Sequence, residues 1–158
     1  MDANFAVGSI IGIWTGQGLL NRNGSSQCAA LIAQYGPKVT VALALNGSST
    51  VNGDRVCLEL TMLPHSWIVT IPKIQIKATS KIFAPGNFRA TADNAQYCEL
   101  VQFWLRCKYT LRYSGGLVPD VYHILVKRGG VFTNVASTDS KAKLRLLYTH
   151  TKYDFPKV

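Results

Sequence analysis

A chain of 158 residues, 47% of them hydrophobic, is long enough to bury a core of its own without disulfide or metal staples. Its 17 Lys and Arg against 8 Asp and Glu leave a net charge of +9, which concentrates polyanions and acidic surfaces around it. The charge is lopsided: residues 1–80 hold 5 cations and 3 anions and residues 81–158 hold 12 and 5, so +2 lies in the first half and +7 in the second.

In chain order, the opening MDANFAVGSIIGIWTGQGLL is apolar, starts with Asp2 and has no cation before Arg22, whereas a signal peptide begins with a positive region. Its glycines and polar residues also break it up too much for a membrane span. Residues 1–24 therefore read as an apolar, glycine-rich N-terminal arm or edge strand of a single domain over 1–158. A short helix is expected near 26–35, in SSQCAALIAQYGP: Ser25 or Ser26 can cap it, Ala and Leu favour its middle, and Gly36-Pro37 stops it.

Strands follow. KVTVALAL places Val39, Val41, Leu43 and Leu45 on one face, and RVCLELTML does the same with Val56, Leu58, Leu60 and Met62. The intervening NGSSTVNGD carries two Asn-Gly pairs, the chemistry of a hairpin loop. WIVTIPKIQIKAT alternates in two phases broken by Pro72, which marks a bulge or an edge. A short helical turn is expected after Thr91 in the irregular crossing that comes next.

ELVQFWLRCKYTLRYS then alternates throughout, with Val101, Phe103, Leu105, Cys107, Tyr109, Leu111 and Tyr113 on one face and Gln102, Trp104, Arg106, Lys108, Thr110 and Arg112 on the other. The spacing predicts a long strand over 99–114 with a dry side and a positive side. VYHILVKRGG reads as a further strand and turn, and KAKLRLLYTHT as the last strand, with Lys141, Lys143 and Arg145 in a second cationic row. Seven to eight strands with one short helix predict an all-β antiparallel sandwich of jelly-roll or Greek-key type.

The carboxylates are scattered and mostly at turns, with no pair set on one face for general acid and base work, so an enzyme is not expected. His65, His123 and His150 fall in separate segments; Asp120 with His123 reads as a turn aspartate and a strand histidine rather than half a metal site. No phosphate loop occurs, and no cofactor or metal is expected. Cys28, Cys57, Cys98 and Cys107 lack metal-ligand spacing and read as free, mostly buried thiols, and Trp14 and Trp67 as core. What stands out is the two cationic rows with Trp104 at their margin: Trp104, Arg106, Lys108, Arg112, Lys141, Lys143 and Arg145 are the candidate nucleic-acid-binding residues, for phosphates and one stacked base.

This layout, a sandwich positive on one sheet face that ends in KAKLRLLYTHT and the tail KYDFPKV, resembles the single jelly-roll coat proteins of small icosahedral viruses. The resemblance implies a non-enzymatic viral structural protein that self-assembles into a homo-oligomer or shell, contacts RNA or single-stranded DNA through its basic sheet face, and resides in the virion and in the host cytoplasm or nucleus. The chain lacks the arginine-rich arm with which many such proteins begin. Two other readings fit the residues: a small single-stranded nucleic-acid-binding accessory protein, and a β-sandwich projecting domain that binds a host protein or a glycan.

Overall fold

The computed structural model describes residues 7–16, 18, 21–47 and 53–142. Within them run β1 (Val7–Trp14), β2 (Gln27–Tyr35), β3 (Val39–Leu45), β4 (Val56–Leu63), β5 (Ser66–Ile71), β6 (Ile82–Gly86), α1 (Ala95–Arg106), β7 (Thr110–Leu111), α2 (Leu117–Lys127) and β8 (Val131–Asn134). The first five strands make an antiparallel meander in sequence order, and the last three a parallel sheet of order β7-β6-β8. The architecture is α/β, a fold in which parallel strands are linked by helical crossovers. The expected all-β jelly roll is therefore wrong.

The hairpin of β3 and β4 pairs Val41 with Leu60 and Leu43 with Leu58, so the alternating apolar residues share one face. Helix α2 packs on the opposite face, across β1 and β2, where Tyr122 meets Ile32, Ala42 and Ile74 in one core. That inner face also carries Thr40, Glu59 and Thr61, all buried. Tyr122 Oη donates to Glu59 Oε2 at 2.5 Å, and Thr70 Oγ1 donates to Glu59 Oε1 at 2.5 Å, which satisfies a carboxylate that burial would otherwise penalise. Gly8 lets α2 come close: a Cβ there would lie 2.2 Å from Val118 Cγ1 and 2.3 Å from the Ala33 carbonyl oxygen.

A second core joins the parallel sheet to α1 through Phe83, Ala90, Tyr97, Val101 and Trp104. The Phe83 and Trp104 rings lie 5.0 Å apart. The segment 99–114, expected as a strand, is mostly α1. Its sequence carries a helical stripe, Tyr97, Val101 and Trp104, as well as the alternation; Asn94 caps the first turn by accepting from the Tyr97 amide at 3.0 Å, and Val101 alone in the helix is β-branched. Trp104, expected on a wet face, is only 4% exposed.

Three further expectations fail. The segment expected as a helix near 26–35 is β2, because hydrogen bonding to β1 on one side and β3 on the other outweighs the helix propensity of its alanines. VYHILVK is α2, with Pro119 and Asp120 in its first turn, where a missing amide and a negative charge are tolerated or favoured. Trp67 lies half exposed on β5, although Trp14 is half-buried and its indole donates to the Asn23 carbonyl. β5 is an edge strand that ends at Ile71, just before Pro72.

Candidate functional site

Parallel strands bring their carboxyl ends to one edge of a sheet, and in open α/β sheets that edge is where ligands bind. Here the edge comprises Asn87 after β6, Arg112 to Ser114 after β7, and Val135 after β8. Tyr97 Oη holds two of these ends together, donating to the Gly86 carbonyl at 3.0 Å and lying 3.2 Å from Thr133 Oγ1.

Asn87 organises the β6 and β8 side. Its backbone is left-handed at φ 51°, a conformation asparagine accepts better than most residues. Its amide donates to the carbonyls of Val135 at 2.7 Å and Ser140 at 3.1 Å, and its Oδ1 accepts from Ser140 Oγ at 2.7 Å. Arg89 Nε donates to Ser140 Oγ at 2.7 Å, so one guanidinium is fixed here while the side chain remains exposed. Lys141, the residue after Ser140, is exposed. The Asp139 amide donates to Asp93 Oδ2 at 2.9 Å, a bond that draws the Asp93 carboxyl below the usual carboxylate range.

On the β7 side, Arg112 and Tyr113 are exposed, and the Arg112 guanidinium donates to the Leu111 carbonyl at 3.1 Å. The turn that follows is set by Asp120 in α2, whose Oδ1 accepts from the Ser114 amide at 2.7 Å. Asp120 Oδ2 and His123 Nε2 are buried with no described hydrogen-bond partner. No group of three or more His, Cys, Asp or Glu placed to hold a metal occurs among the described residues. The four cysteines are free and half-buried, and burial pushes the Cys57 thiol up. A cleft of about 370 Å³, lined by Lys77, Ser80, Leu100, Trp104, Tyr109 and Val131 among others, opens near the amino ends of the parallel strands. No described helix is long and apolar enough to cross a membrane.

The structure does not gather the cationic rows on one sheet surface. Arg106 ends α1, Lys108 sits in a left-handed turn just after it, Arg112 follows β7, and Lys141 follows the Asn87 latch. Lys143 and Arg145, with the rest of the expected last strand, lie outside the described residues. Sequence reasoning missed Asn87, Arg89, Tyr113 and Ser140. The signal available was the alternation of short apolar runs with helical stripes from 82 to 134, which reads as a β-α-β-α-β unit whose strand ends deserve inspection.

Residues 76–153 match the family model for the fructose-1-6-bisphosphatase C-terminal domain. The chain is 44% identical over 148 residues to the chloroplastic sedoheptulose-1,7-bisphosphatase of Spinacia oleracea, covering 94% of this chain and 37% of that protein. It is 36% identical over 152 residues to a class 1 fructose-1,6-bisphosphatase of Trichlorobacter lovleyi, covering 94% of this chain and 44% of the relative. A Toxoplasma gondii structure described as a sedoheptulose-1,7 bisphosphatase superposes with a TM-score of 0.73 at 43% identity, over 87% of this chain and 48% of that one.

These findings overturn the coat-protein resemblance and the readings that came with it: a non-enzymatic structural protein, a self-assembling shell, nucleic acid as partner and residence in a virion. The accessory nucleic-acid-binding protein and the projecting domain fall with it, since the relatives are metabolic enzymes and those from plants and algae are described as chloroplastic. The chain spans well under two thirds of each relative named above, and over that span it is similar to sedoheptulose-1,7- and fructose-1,6-bisphosphatases.

Proposed function

We propose that this chain forms the sugar-phosphate-holding portion of a bisphosphatase and that its carboxyl-end rim binds a phosphorylated sugar. The observation that carries the reading is the position of Arg112 and Tyr113 at the end of β7, inside the segment that matches the bisphosphatase C-terminal domain model. An exposed guanidinium matches phosphate in charge and in its forked donors, and a neighbouring phenol supplies a hydroxyl and an apolar ring suited to a sugar. Arg89, held by Ser140 beside Asn87, adds positive charge, and the exposed Lys141 follows Ser140 in the chain.

Sedoheptulose-1,7-bisphosphate is the preferred substrate in this reading, because identity is 44% to the Spinacia oleracea sedoheptulose enzyme and 36% to the Trichlorobacter lovleyi fructose enzyme. The role of these residues is to bind and orient the phosphate ester, so that attack by water occurs on a fixed phosphorus. Calorimetric titration of the chain with sedoheptulose-1,7-bisphosphate, fructose-1,6-bisphosphate and inorganic phosphate tests it. Saturable binding, weakened about tenfold or more by Arg112→Gln at unchanged folding stability, is the expected result, a tenfold loss being about 1.4 kcal/mol. Binding that Arg112→Gln leaves unaltered would remove the rim from the reading.

A further inference from the structure

The edge of the parallel sheet opposite the phosphosugar rim is also built from three segments, and its charged side chains all have one sign. Each parallel strand starts from this edge: residues 75–81 lead into β6, residues 105–110 carry the end of α1 into β7, and residues 125–131 carry the end of α2 into β8. A crossover helix between parallel strands runs back to the amino edge, so the topology delivers the last turns of α1 and α2 here together. The three segments hold Lys77, Lys81, Arg106, Lys108, Lys127 and Arg128, all exposed, and no carboxylate. The carboxylates of the two helices lie toward the other edge, Glu99 in the second turn of α1 and Asp120 in the first turn of α2.

Backbone bonds fix the segments against one another. The Lys77 amide donates to the Arg128 carbonyl at 2.8 Å and the Thr110 amide to the Lys81 carbonyl at 2.7 Å, so Lys77 stands beside Arg128 and Lys81 beside the turn that carries Lys108. A Cβ on Gly129 would lie 2.6 Å from Ser80 Cβ, so the turn after α2 is pressed against the segment before β6. Cations at helix ends are ordinary, because they complement the helix dipole, and that accounts for Arg106 and Lys127. It does not account for Lys77 and Lys81, which belong to no helix. Like charges gathered in this way repel one another, and an anionic partner relieves the repulsion. At the same edge opens the cleft of about 370 Å³, whose apolar lining includes Ile76, Leu100 and Val131, each 36–51% exposed.

We infer that this amino edge is a docking surface for an acidic segment of a partner protein, which lays carboxylates along the cations and inserts one apolar or aromatic side chain into the cleft. A small anion is the poorer match, since it meets one or two cations, whereas this row runs from one helix end to the other and surrounds an apolar opening. An extended chain rises about 3.3 Å per residue, so about nine residues, roughly 30 Å, cross the three strand starts and both helix ends. The surface lies at the edge away from Arg112 and Tyr113, so a bound segment leaves the rim open, and the inference stands apart from which phosphosugar the rim accepts.

Fluorescence anisotropy of the full chain with a labelled peptide of about nine residues, glutamates around one central phenylalanine, tests this. The expected result is saturable binding that weakens about tenfold or more from 50 to 200 mM salt, as exposed charge contacts do. Lys77→Gln combined with Arg106→Gln weakens it about tenfold, at unchanged thermal unfolding because both side chains are exposed. Leu100→Ser weakens the phenylalanine peptide about fivefold and leaves a peptide with serine in that place unaltered. Arg112→Gln, at the other edge, leaves peptide binding as it is, so the rim and this surface fail by different measurements. No saturable binding, a doubly substituted chain that binds as well as the native one, equal affinity for the serine and phenylalanine peptides, or equal affinity for a single-stranded oligothymidylate of the same charge would each overturn the inference.

Discussion

The Glu59 carboxylate of β4 accepts a hydrogen bond from the Tyr122 hydroxyl of α2 at 2.5 Å, and this contact fastens the helix to the centre of the antiparallel sheet. Thr70 donates to the other carboxylate oxygen, and Thr61 lies 3.1 Å from Thr70. Tyr122→Phe removes one donor from a buried carboxylate and is expected to cost about 1–3 kcal/mol in urea denaturation. Burial, followed by the hydrogen bond and charge of Glu59, raises the Tyr122 phenol above its ordinary 10.0. The folded protein therefore holds the proton more tightly than the unfolded chain, so this stabilisation is complete below about pH 10 and is lost as pH rises beyond it. The stability gap between the native protein and Tyr122→Phe should narrow above about pH 10; a gap constant to pH 11.5 would contradict the contact.

Gly8 permits the close approach of α2 to β1. Gly8→Ala inserts a methyl 2.2 Å from Val118 Cγ1 and 2.3 Å from a backbone oxygen, which must displace the helix or the strand. A loss of about 1–3 kcal/mol is expected. Val118→Ala should restore only part of it, because the Ala33 carbonyl still blocks the methyl.

Asn87 is expected to show its two roles separately. Asn87→Gly keeps the left-handed backbone and loses the bonds to Val135 and Ser140, so amide hydrogen exchange over 135–141 should accelerate and phosphosugar binding weaken. Asn87→Ala loses the same bonds and adds about 1–2 kcal/mol of left-handed strain. Equal stability of the two variants would count against the conformational role.

Trp104→Ala empties the α1 core beside Phe83 and is expected to cost about 3–5 kcal/mol, as for any large buried aromatic. Fluorescence of native Trp104 should stay shielded from iodide in the folded chain and become quenchable only on unfolding.

The hairpin of β3 and β4 was legible in the sequence, since Asn-Gly chemistry and period-two apolar residues point the same way. Which face those residues bury was not. The apolar set of β3 and β4 lies outward, while Thr40, Glu59 and Thr61 face the helix, because a hydrogen-bond network satisfies them there. Segment 99–114 carried two periods at once, and only the tertiary partner of Tyr97, Val101 and Trp104 selects the helical one. The rim was hidden for another reason: Asn87 and Ser140 lie 53 residues apart, and nothing local in either announces the pair. Arg112 was singled out for its charge, yet its place at the end of a parallel strand, which gives that charge a use, depends on the crossover topology.

Helix α2 packs against β1 and β2 of one sheet and β6 and β8 of the other, while its Asp120 carboxylate sets the turn that follows Arg112 and Tyr113. One helix thus serves both sheets, and loosening α2 against the antiparallel sheet bears on the turn after Arg112 and Tyr113 as well.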